Sequence, residues 1–157
     1  MDGAELSGPE PTFTDYEVGQ DCDGSGYTAA NGWCSAHSGA RTARRGSTVE
    51  LATSLCRLPG QPEGVLRAAS GQYAEFVVSD EANTYRWTWG RGKRFADEPR
   101  TFNVPAGRCL RLAVSWDLRD DRGRALPVGD YVLTSSPYLS ASGAFVREQK
   151  PTPFQVT

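Results

Sequence analysis

Histidine and recognisable catalytic motifs are nearly absent from this sequence. Among 157 residues, His37 is the single histidine, and no GxSxG, HExxH or phosphate-binding glycine loop occurs. A lone histidine in a stretch rich in Gly and Ser is typical of an exposed loop. The sequence therefore argues against an enzyme and predicts no cofactor and no metal site.

An excess of basic charge and a long apolar run are also missing. The 17 basic and 19 acidic residues give a formal net charge of -2, so no positive surface of the size that duplex nucleic acid requires is expected. No apolar run reaches the ~18 residues of a membrane-spanning helix, and the N-terminus lacks signal-peptide features. We expect no nucleic-acid partner and no membrane span in this chain.

Cysteine is present as an even set: Cys22, Cys34, Cys56 and Cys109. None is part of a CxxC pair, and one histidine does not supply the ligand spacing of a zinc site. Two disulfides are the better interpretation, and four cysteines allow three pairings. Because disulfides persist in oxidising compartments, we expect an extracytoplasmic protein, secreted or on the cell surface, with a signal or anchor outside this sequence.

Alternating apolar residues predict many short strands and no helix longer than a turn. Residues 49–56 and 108–116 both alternate, and in each the cysteine, Cys56 or Cys109, lies opposite the apolar face. A Cys56–Cys109 disulfide between strands is compatible with this placement, although periodicity alone does not select the pairing.

Further strands are predicted at residues 64–70 and 73–79, joined as a hairpin. Residues 84–89 place Tyr85, Trp87 and Trp89 on one face, which we expect to be core because three aromatic rings require cover.

Glycine and proline punctuate these strands, with 17 Gly and 10 Pro in the chain. The predicted fold class is all-β: an immunoglobulin-like antiparallel β-sandwich of about seven to nine strands with a disulfide-tied N-terminal extension. A small closed barrel is the alternative. The predicted domains are a flexible tail or linker at 1–15, a Gly/Ser-rich extension at 16–48 and the sandwich at 49–157.

Residues 116–133, WDLRDDRGRALPVGDYVL, have the most specific turn chemistry. They predict the closing hairpin of the sandwich, in which Trp116 and Tyr131 anchor the two sides. Its Asp residues could suit calcium, as could the DCDGSG stretch at residues 21–26. Because Asp side chains also bond their own backbone in turns, and because DCDGSG lacks a bidentate Glu, we favour turns at both places.

The loops at the ends of a sandwich are the expected binding elements. The leading candidate is the basic loop Arg91, Gly92, Lys93, Arg94 and Phe95, and an ordinary solvated loop is the competing interpretation. Residues 57–64, stiffened by Pro59 and Pro62, are the second candidate because a rigid loop loses little entropy on docking.

Several motifs together resemble one known family. LRAASG (66–71), QYAEFVVSD (72–80), YRWTW (85–89), PAG (105–107) and DDRGRALPVGDY (120–131) are similar in order and spacing to the BsuPI-type intracellular proteinase inhibitor domain. The resemblance covers residues 49–133 and implies an immunoglobulin-like sandwich that inhibits a serine proteinase. The N-terminal segment and the four cysteines have no counterpart in that pattern.

These observations give three functional hypotheses. The favoured one is a non-catalytic extracytoplasmic module that binds another protein. The second is a serine proteinase inhibitor acting through an extended surface loop, with 91–95 as the candidate. The third is a structural or adhesive subunit that self-associates through its edge strands.

Overall fold

The computed structural model describes residues 10–16, 32–39, 41–141, 144–145 and 150–157. Within them the chain forms thirteen β-strands and no helix. The strands are β1 (Thr12–Asp15), β2 (Trp33–Gly39), β3 (Thr42–Ala43), β4 (Val49–Arg57), β5 (Gly64–Ala68), β6 (Ala74–Asp80), β7 (Tyr85–Thr88), β8 (Arg100–Val104), β9 (Arg108–Trp116), β10 (Gly129–Pro137), β11 (Ser140–Ala141), β12 (Ala144–Phe145) and β13 (Lys150–Val156). The predicted all-β class is confirmed, with more strands than expected.

The strands form three sheets that surround one core. Their orders are β1-β9-β4-β2, β3-β13-β10-β6-β7 and β12-β11-β5-β8. Neighbouring strands are antiparallel except β13 and β3, which are parallel. Leu51, Phe76 and Leu66, one from each sheet, belong to a single buried apolar cluster. This packing of sheet against sheet is the predicted sandwich.

The alternation in β4 and β9 sorts their residues between two faces, as the sequence predicts. Leu51 and Leu55 are buried in the main core, and Trp116 stacks on Trp87 with ring centroids 4.9 Å apart. Burying side chains of this size stabilises a fold by roughly 1.5–3 kcal/mol each. These two strands therefore contribute much of the core that holds the sandwich together.

The opposite face of the first sheet carries a row of cysteines. Cys34, Cys56 and Cys109 lie directly opposite one another on β2, β4 and β9. Cys56 and Cys109 form a disulfide with Cα atoms 3.9 Å apart, as the strand placement allowed. Cys34 is also disulfide-bonded, whereas Cys22 lies outside the described residues. The row forms a second buried cluster with Tyr16 and Leu58 at its margin.

The predicted hairpin between residues 64–70 and 73–79 is wrong. β5 pairs with β8 and β11, whereas β6 pairs with β10 and β7, so the chain crosses from one sheet to another. The crossing is fixed by Gly71 N–H, which donates to Ala96 O at 2.7 Å, and by buried Tyr73, whose ring meets Phe102 edge to face. These contacts are distant in sequence, so alternation could not reveal them.

The shared aromatic face predicted for residues 85–89 is also only partly correct. Trp87 and Trp89 pack against the core, but Tyr85 is 68% exposed. The pairing of β6 with β7 shifts register between Val78 and Ser79: Val78 lies opposite Trp87 and Ser79 opposite Tyr85. This bulge interrupts the alternation and leaves Tyr85 at the surface.

The stretch 116–133 is a crossover between sheets and not the predicted hairpin. β9 lies in the first sheet, and β10 lies in the second. Leu118 and Leu126, exposed to 0% and 1%, draw the connection onto the end of the core, and Leu126 N–H donates to Leu118 O at 3.0 Å. Tyr131 Oη then donates to Pro127 O at 2.7 Å, an arrangement like the tyrosine corner of immunoglobulin-like sandwiches.

Strands also occur before residue 49. β1 pairs with β9, and β2 pairs with β4, so residues from the segments predicted as tail and extension add the two edges of the first sheet. His37 lies in β2 and not in a loop. Trp33 is buried, and its ring lies 2.4 Å from the position that a Cβ would occupy at Gly64. The domain boundaries stay a prediction, but β2 is paired with β4 as a strand of the first sheet.

The structure also bears on the predicted absence of a membrane span. No helix in the described part of the chain is long and apolar enough to cross a membrane.

Candidate protein-binding site

The loop 91–95 leaves β7 through two consecutive turns. Arg91 N–H donates to Thr88 O at 3.1 Å, and Lys93 N–H donates to Gly90 O at 3.2 Å. The first part of the loop is therefore turned, and not extended as the inhibitor hypothesis assumed.

The basic residues after the turns differ in how they are held. Lys93 Nζ donates to Trp89 O at 2.8 Å and lies 5.0 Å from the centroid of the Trp89 ring. Phe95 is half-buried against the same tryptophan, with centroids 5.5 Å apart. Arg94, between them, is exposed and has no hydrogen bond or ion pair with any residue that the structure describes. The loop thus presents one unengaged arginine between two anchored neighbours.

Glu75 fixes one side of the base of this loop. Its Oε1 accepts hydrogen bonds from Gly90 N–H at 2.8 Å and from Phe76 N–H at 3.0 Å, while Gln72 Nε2 donates to its Oε2 at 3.0 Å. Because Glu75 lies on β6, the start of the loop is tied to the sheet. This limits the entropy that the loop would lose on binding.

Asp121 fixes the other side. Its Oδ1 accepts from Thr88 N–H at 3.0 Å, and its Oδ2 lies 3.2 Å from Arg91 Nε. Asp121 N–H also donates to Arg86 O at 2.9 Å. The connection between β9 and β10 therefore covers the outer edge of β7, which protects it from strand pairing with another chain.

Two further carboxylates hold turns beside this edge. Asp120 Oδ1 accepts from Arg122 N–H and Arg124 N–H, both at 2.9 Å, and Asp80 Oδ1 accepts from Ala82 N–H and Thr84 N–H, also at 2.9 Å. These bonds favour the charged form, so the pKa of each carboxyl lies below its usual value; the largest cause is the backbone N–H of Arg124 for Asp120 and that of Thr84 for Asp80.

Of the three WDLRDD aspartates, Asp120 holds a turn as the sequence predicts, whereas Asp121 accepts its backbone bond from Thr88 on β7. Asp117, the third of them, is exposed and lies 3.6 Å from Arg119. No group of three or more His, Cys, Asp or Glu side chains in the described ranges could hold a metal ion. The DCDGSG stretch lies outside those ranges.

A cleft of about 290 Å³ lies between β7 and the β9–β10 connection, and we call it the arginine cleft. Its lining residues are Thr84, Tyr85, Arg86, Arg91, Asp120, Asp121, Arg122 and Arg124. Sequence reasoning missed this grouping because the residues come from three separate segments. A faint signal was present in RDDRGR, where each of two Asp residues is followed within four positions by an Arg.

The second predicted binding loop, residues 57–64, is also anchored by contacts within the protein. Arg57 Nε donates to Pro62 O at 2.8 Å, and its guanidinium lies 4.9 Å from the centroid of the Trp33 ring. Leu58 contacts the cysteine cluster. Residues 59–63 between these anchors are exposed.

Comparison with known proteins identifies one family. The BsuPI family model, described as intracellular proteinase inhibitor, matches residues 44–137, which is more than half of the chain. The match confirms the resemblance seen in the sequence motifs and implies a proteinase partner. A search of curated proteins gives no match.

Several solved structures match this chain at low identity, each with a TM-score below 0.5. An alkylpurine DNA glycosylase of Pseudomonas fluorescens bound to abasic-site DNA has 13% identity and a TM-score of 0.37; the match covers 74% of this chain and 27% of the glycosylase. A mutant β-glucosidase of Listeria innocua with laminaribiose has 7% identity and a TM-score of 0.41, over 80% of this chain and 16% of that one. The CARDB domain of a Pyrococcus furiosus protein with di-metal ions has 12% identity and a TM-score of 0.37, over 99% of this chain and 93% of that domain.

The predicted extracytoplasmic location is wrong, because the matching family is described as intracellular. That prediction depended on the four cysteines. The in-register placement of Cys56 and Cys109 on neighbouring strands shows that their thiols are adjacent. It does not indicate the compartment in which the protein works.

Proposed function

Because the chain belongs to the BsuPI family of intracellular proteinase inhibitors, we propose that it inhibits a serine proteinase through the loop 91–95, without catalytic activity of its own. The observation that carries the proposal is Arg94. Its exposed side chain follows two turns and has no hydrogen-bond or ion-pair partner among the described residues. A trypsin-like proteinase has a carboxylate in its specificity pocket, which an arginine complements.

The anchoring of the loop supports the same proposal. An inhibitor binds tightly when little conformational freedom remains to be lost. Glu75 on β6 and Asp121 in the β9–β10 connection hold the base of the loop, and Lys93 is tied back to Trp89. Arg94 is consequently the basic side chain of this loop that is best placed to enter a pocket.

Titration of the chain against a trypsin-like and a subtilisin-like proteinase tests the proposal. We expect inhibition of the trypsin-like enzyme at micromolar concentration or below. Arg94→Ala should raise the inhibition constant by about 30-fold or more, since truncating a hot-spot residue costs ~2–4 kcal/mol of binding free energy. Arg94→Lys should retain most of the affinity because the positive charge is kept.

A matched control accompanies this titration. Arg67→Ala removes an exposed arginine from β5, on another sheet. This variant should inhibit nearly as well as the unaltered chain. The absence of inhibition of either enzyme at micromolar concentration would refute the inhibitor proposal. Full inhibition by Arg94→Ala would instead refute the role of this loop and direct attention to residues 57–64.

A structural or adhesive subunit is the competing function. Such a subunit would pair its edge strands with neighbours; one of these strands, β7, is covered along its outer edge by the β9–β10 connection through Asp121. Light scattering at micromolar concentration separates the two functions: the inhibitor proposal expects a monomer, and the subunit an assembly.

A further inference from the structure

The arginine cleft combines a positive lining with an otherwise acidic chain. Its lining residues include four arginines and two aspartates, and Asp80 lies 2.9 Å from Arg86, so these groups together carry a net charge of +1, whereas the chain carries a formal charge of -2. A concave site of one sign on a protein of the other sign concentrates the electrostatic potential and attracts oppositely charged ligands. The cleft is therefore the place on the described surface to look for an anionic ligand.

The carboxylates beside the cleft already accept hydrogen bonds from backbone N–H groups. Asp80 and Asp120 each accept two backbone N–H bonds, and Asp121 accepts one. Their side chains are only 17%, 10% and 19% exposed. Each carboxylate is thus committed to a turn or a strand edge and is directed away from solvent.

The guanidinium groups of the cleft, in contrast, retain N–H donors. The nearest nitrogen of Arg86, Arg91 and Arg124 to its aspartate is Nε in every case, at 2.9, 3.2 and 3.0 Å. A guanidinium has five N–H donors, so contact through Nε leaves the outer Nη groups for a ligand. The side chains of Arg91 and Arg124 are 63% and 64% exposed. Arg122 is exposed, and its bond to Asp120 is made by its backbone N–H and not by its guanidinium.

An exposed aromatic ring completes the cleft. Tyr85 lies in its lining and is 68% exposed, because the β6–β7 bulge takes it off the core face. Tyrosine and arginine, together with tryptophan, are enriched among the residues that dominate the binding energy of protein interfaces. A ring that can cover a peptide backbone, next to guanidinium forks that match carboxylates, suits a polypeptide better than a small inorganic ion.

We propose that the arginine cleft binds an acidic peptide segment of a protein partner, with Glu or Asp carboxylates on Arg86, Arg122 and Arg124 and the peptide backbone against Tyr85. This site adjoins the loop 91–95 through Arg91 but is separate from Arg94. The proposal does not depend on inhibition, because an inhibitor could lack the site and a chain that inhibits no proteinase could still bind such a peptide.

An NMR titration of the ¹⁵N-labelled chain with hexaglutamate, in low salt, tests the proposal. We expect saturable shifts in the backbone amides of residues 84–86 and 120–124 and in the arginine side-chain Nε–H signals. Hexaglutamine, the uncharged peptide of the same length, should give none of these shifts. Added sodium chloride should weaken the binding, because it screens exposed charges.

Two substitutions locate the binding. Arg122→Gln and Tyr85→Ala should each raise the dissociation constant by about fivefold, the loss expected for one good contact. Both residues are exposed, so the spectra should show an unchanged fold. Arg67→Gln, on β5, should bind as the unaltered chain does.

Three outcomes would overturn the proposal. The first is no saturable shift at millimolar hexaglutamate, and the second is equal binding of hexaglutamine. The third is inorganic phosphate producing the same shifts at lower concentration than hexaglutamate, which would identify the cleft as a phosphate site. A normal titration in an Arg94→Ala chain would show that the cleft and the proposed inhibitory residue are independent.

Discussion

Arg91 Nε lies 3.2 Å from Asp121 Oδ2, and this ion pair joins two loops that are 30 positions apart in the chain. The same carboxylate accepts the Thr88 N–H through Oδ1 at 3.0 Å. One side chain therefore closes the edge of β7, anchors the loop 91–95 and forms one wall of the arginine cleft. Both proposed binding elements depend on its position.

Two substitutions of Asp121 distinguish its hydrogen bond from Thr88 N–H from its ion pair with Arg91. Asp121→Ala leaves the Thr88 N–H without its acceptor and should lower the free energy of unfolding by about 1–2 kcal/mol. Asp121→Asn keeps an oxygen acceptor and loses the ion pair, which should cost under about 1 kcal/mol because Arg91 is largely exposed. Urea unfolding measures both values. Asp97→Ala, at an exposed loop position, is the control, and equal losses for Asp121→Asn and Asp121→Ala would contradict the assignment of the Thr88 bond.

Gly64 tests the packing of the N-terminal residues on the sandwich. A Cβ at this position would lie 2.4 Å from the Trp33 ring, so Gly64→Ala should cost about 1–3 kcal/mol through overpacking. The Trp33→Ala background removes the ring, and the same glycine substitution should then cost much less. Urea unfolding of the two single variants and the double variant measures the coupling. Strict additivity would show that Trp33 does not cover Gly64 in solution.

The elements that the sequence predicted well are those whose signal is local. The faces of β4 and β9 follow from alternation alone, and so does the placement of Cys56 and Cys109 away from the main core. The turn role of Asp120 follows from the chemistry of its side chain. In each case the prediction requires only a residue and its near neighbours in the sequence.

The failures come from contacts distant in sequence. The crossing after β5 depends on Ala96, and the exposure of Tyr85 depends on a bulge against β6. The β9–β10 crossover depends on Leu118 and Leu126, which pack into the core from inside a polar stretch. The arginine cleft could not be predicted for the same reason, since Arg86 and Arg122 meet only after both crossings have formed.

The Cys56–Cys109 disulfide should contribute substantially to stability. It closes a loop with a sequence separation of 53, for which chain entropy predicts about 4 kcal/mol, and measured values are typically ~2–4 kcal/mol. The variant with both Cys56→Ala and Cys109→Ala should lose that amount in urea unfolding. Non-reducing peptide mapping should show this pair and no free thiol. Complete alkylation of all four cysteines in the native, unreduced protein would contradict the pairing.

Acid should weaken the turns that Asp80 and Asp120 hold. Backbone N–H bonds place the pKa of both carboxyls below the usual aspartate value of 3.8, so the folded state binds these protons less readily than the unfolded state. Their contribution to stability is therefore complete above the unfolded pKa of about 4 and is lost as the pH falls through the lower folded pKa.

Carboxyl-carbon NMR titration should give a folded pKa below 3.8 for both residues. Asp80→Asn and Asp120→Asn should each reduce the difference between the free energies of unfolding at pH 7 and pH 3, measured with urea, whereas Asp97→Asn should leave that difference nearly unchanged. A measured pKa at or above the unfolded value would show that the backbone bonds of these turns do not persist in solution. The geometry of the arginine cleft would then have to be reconsidered, because the same bonds hold Asp120 among its arginines.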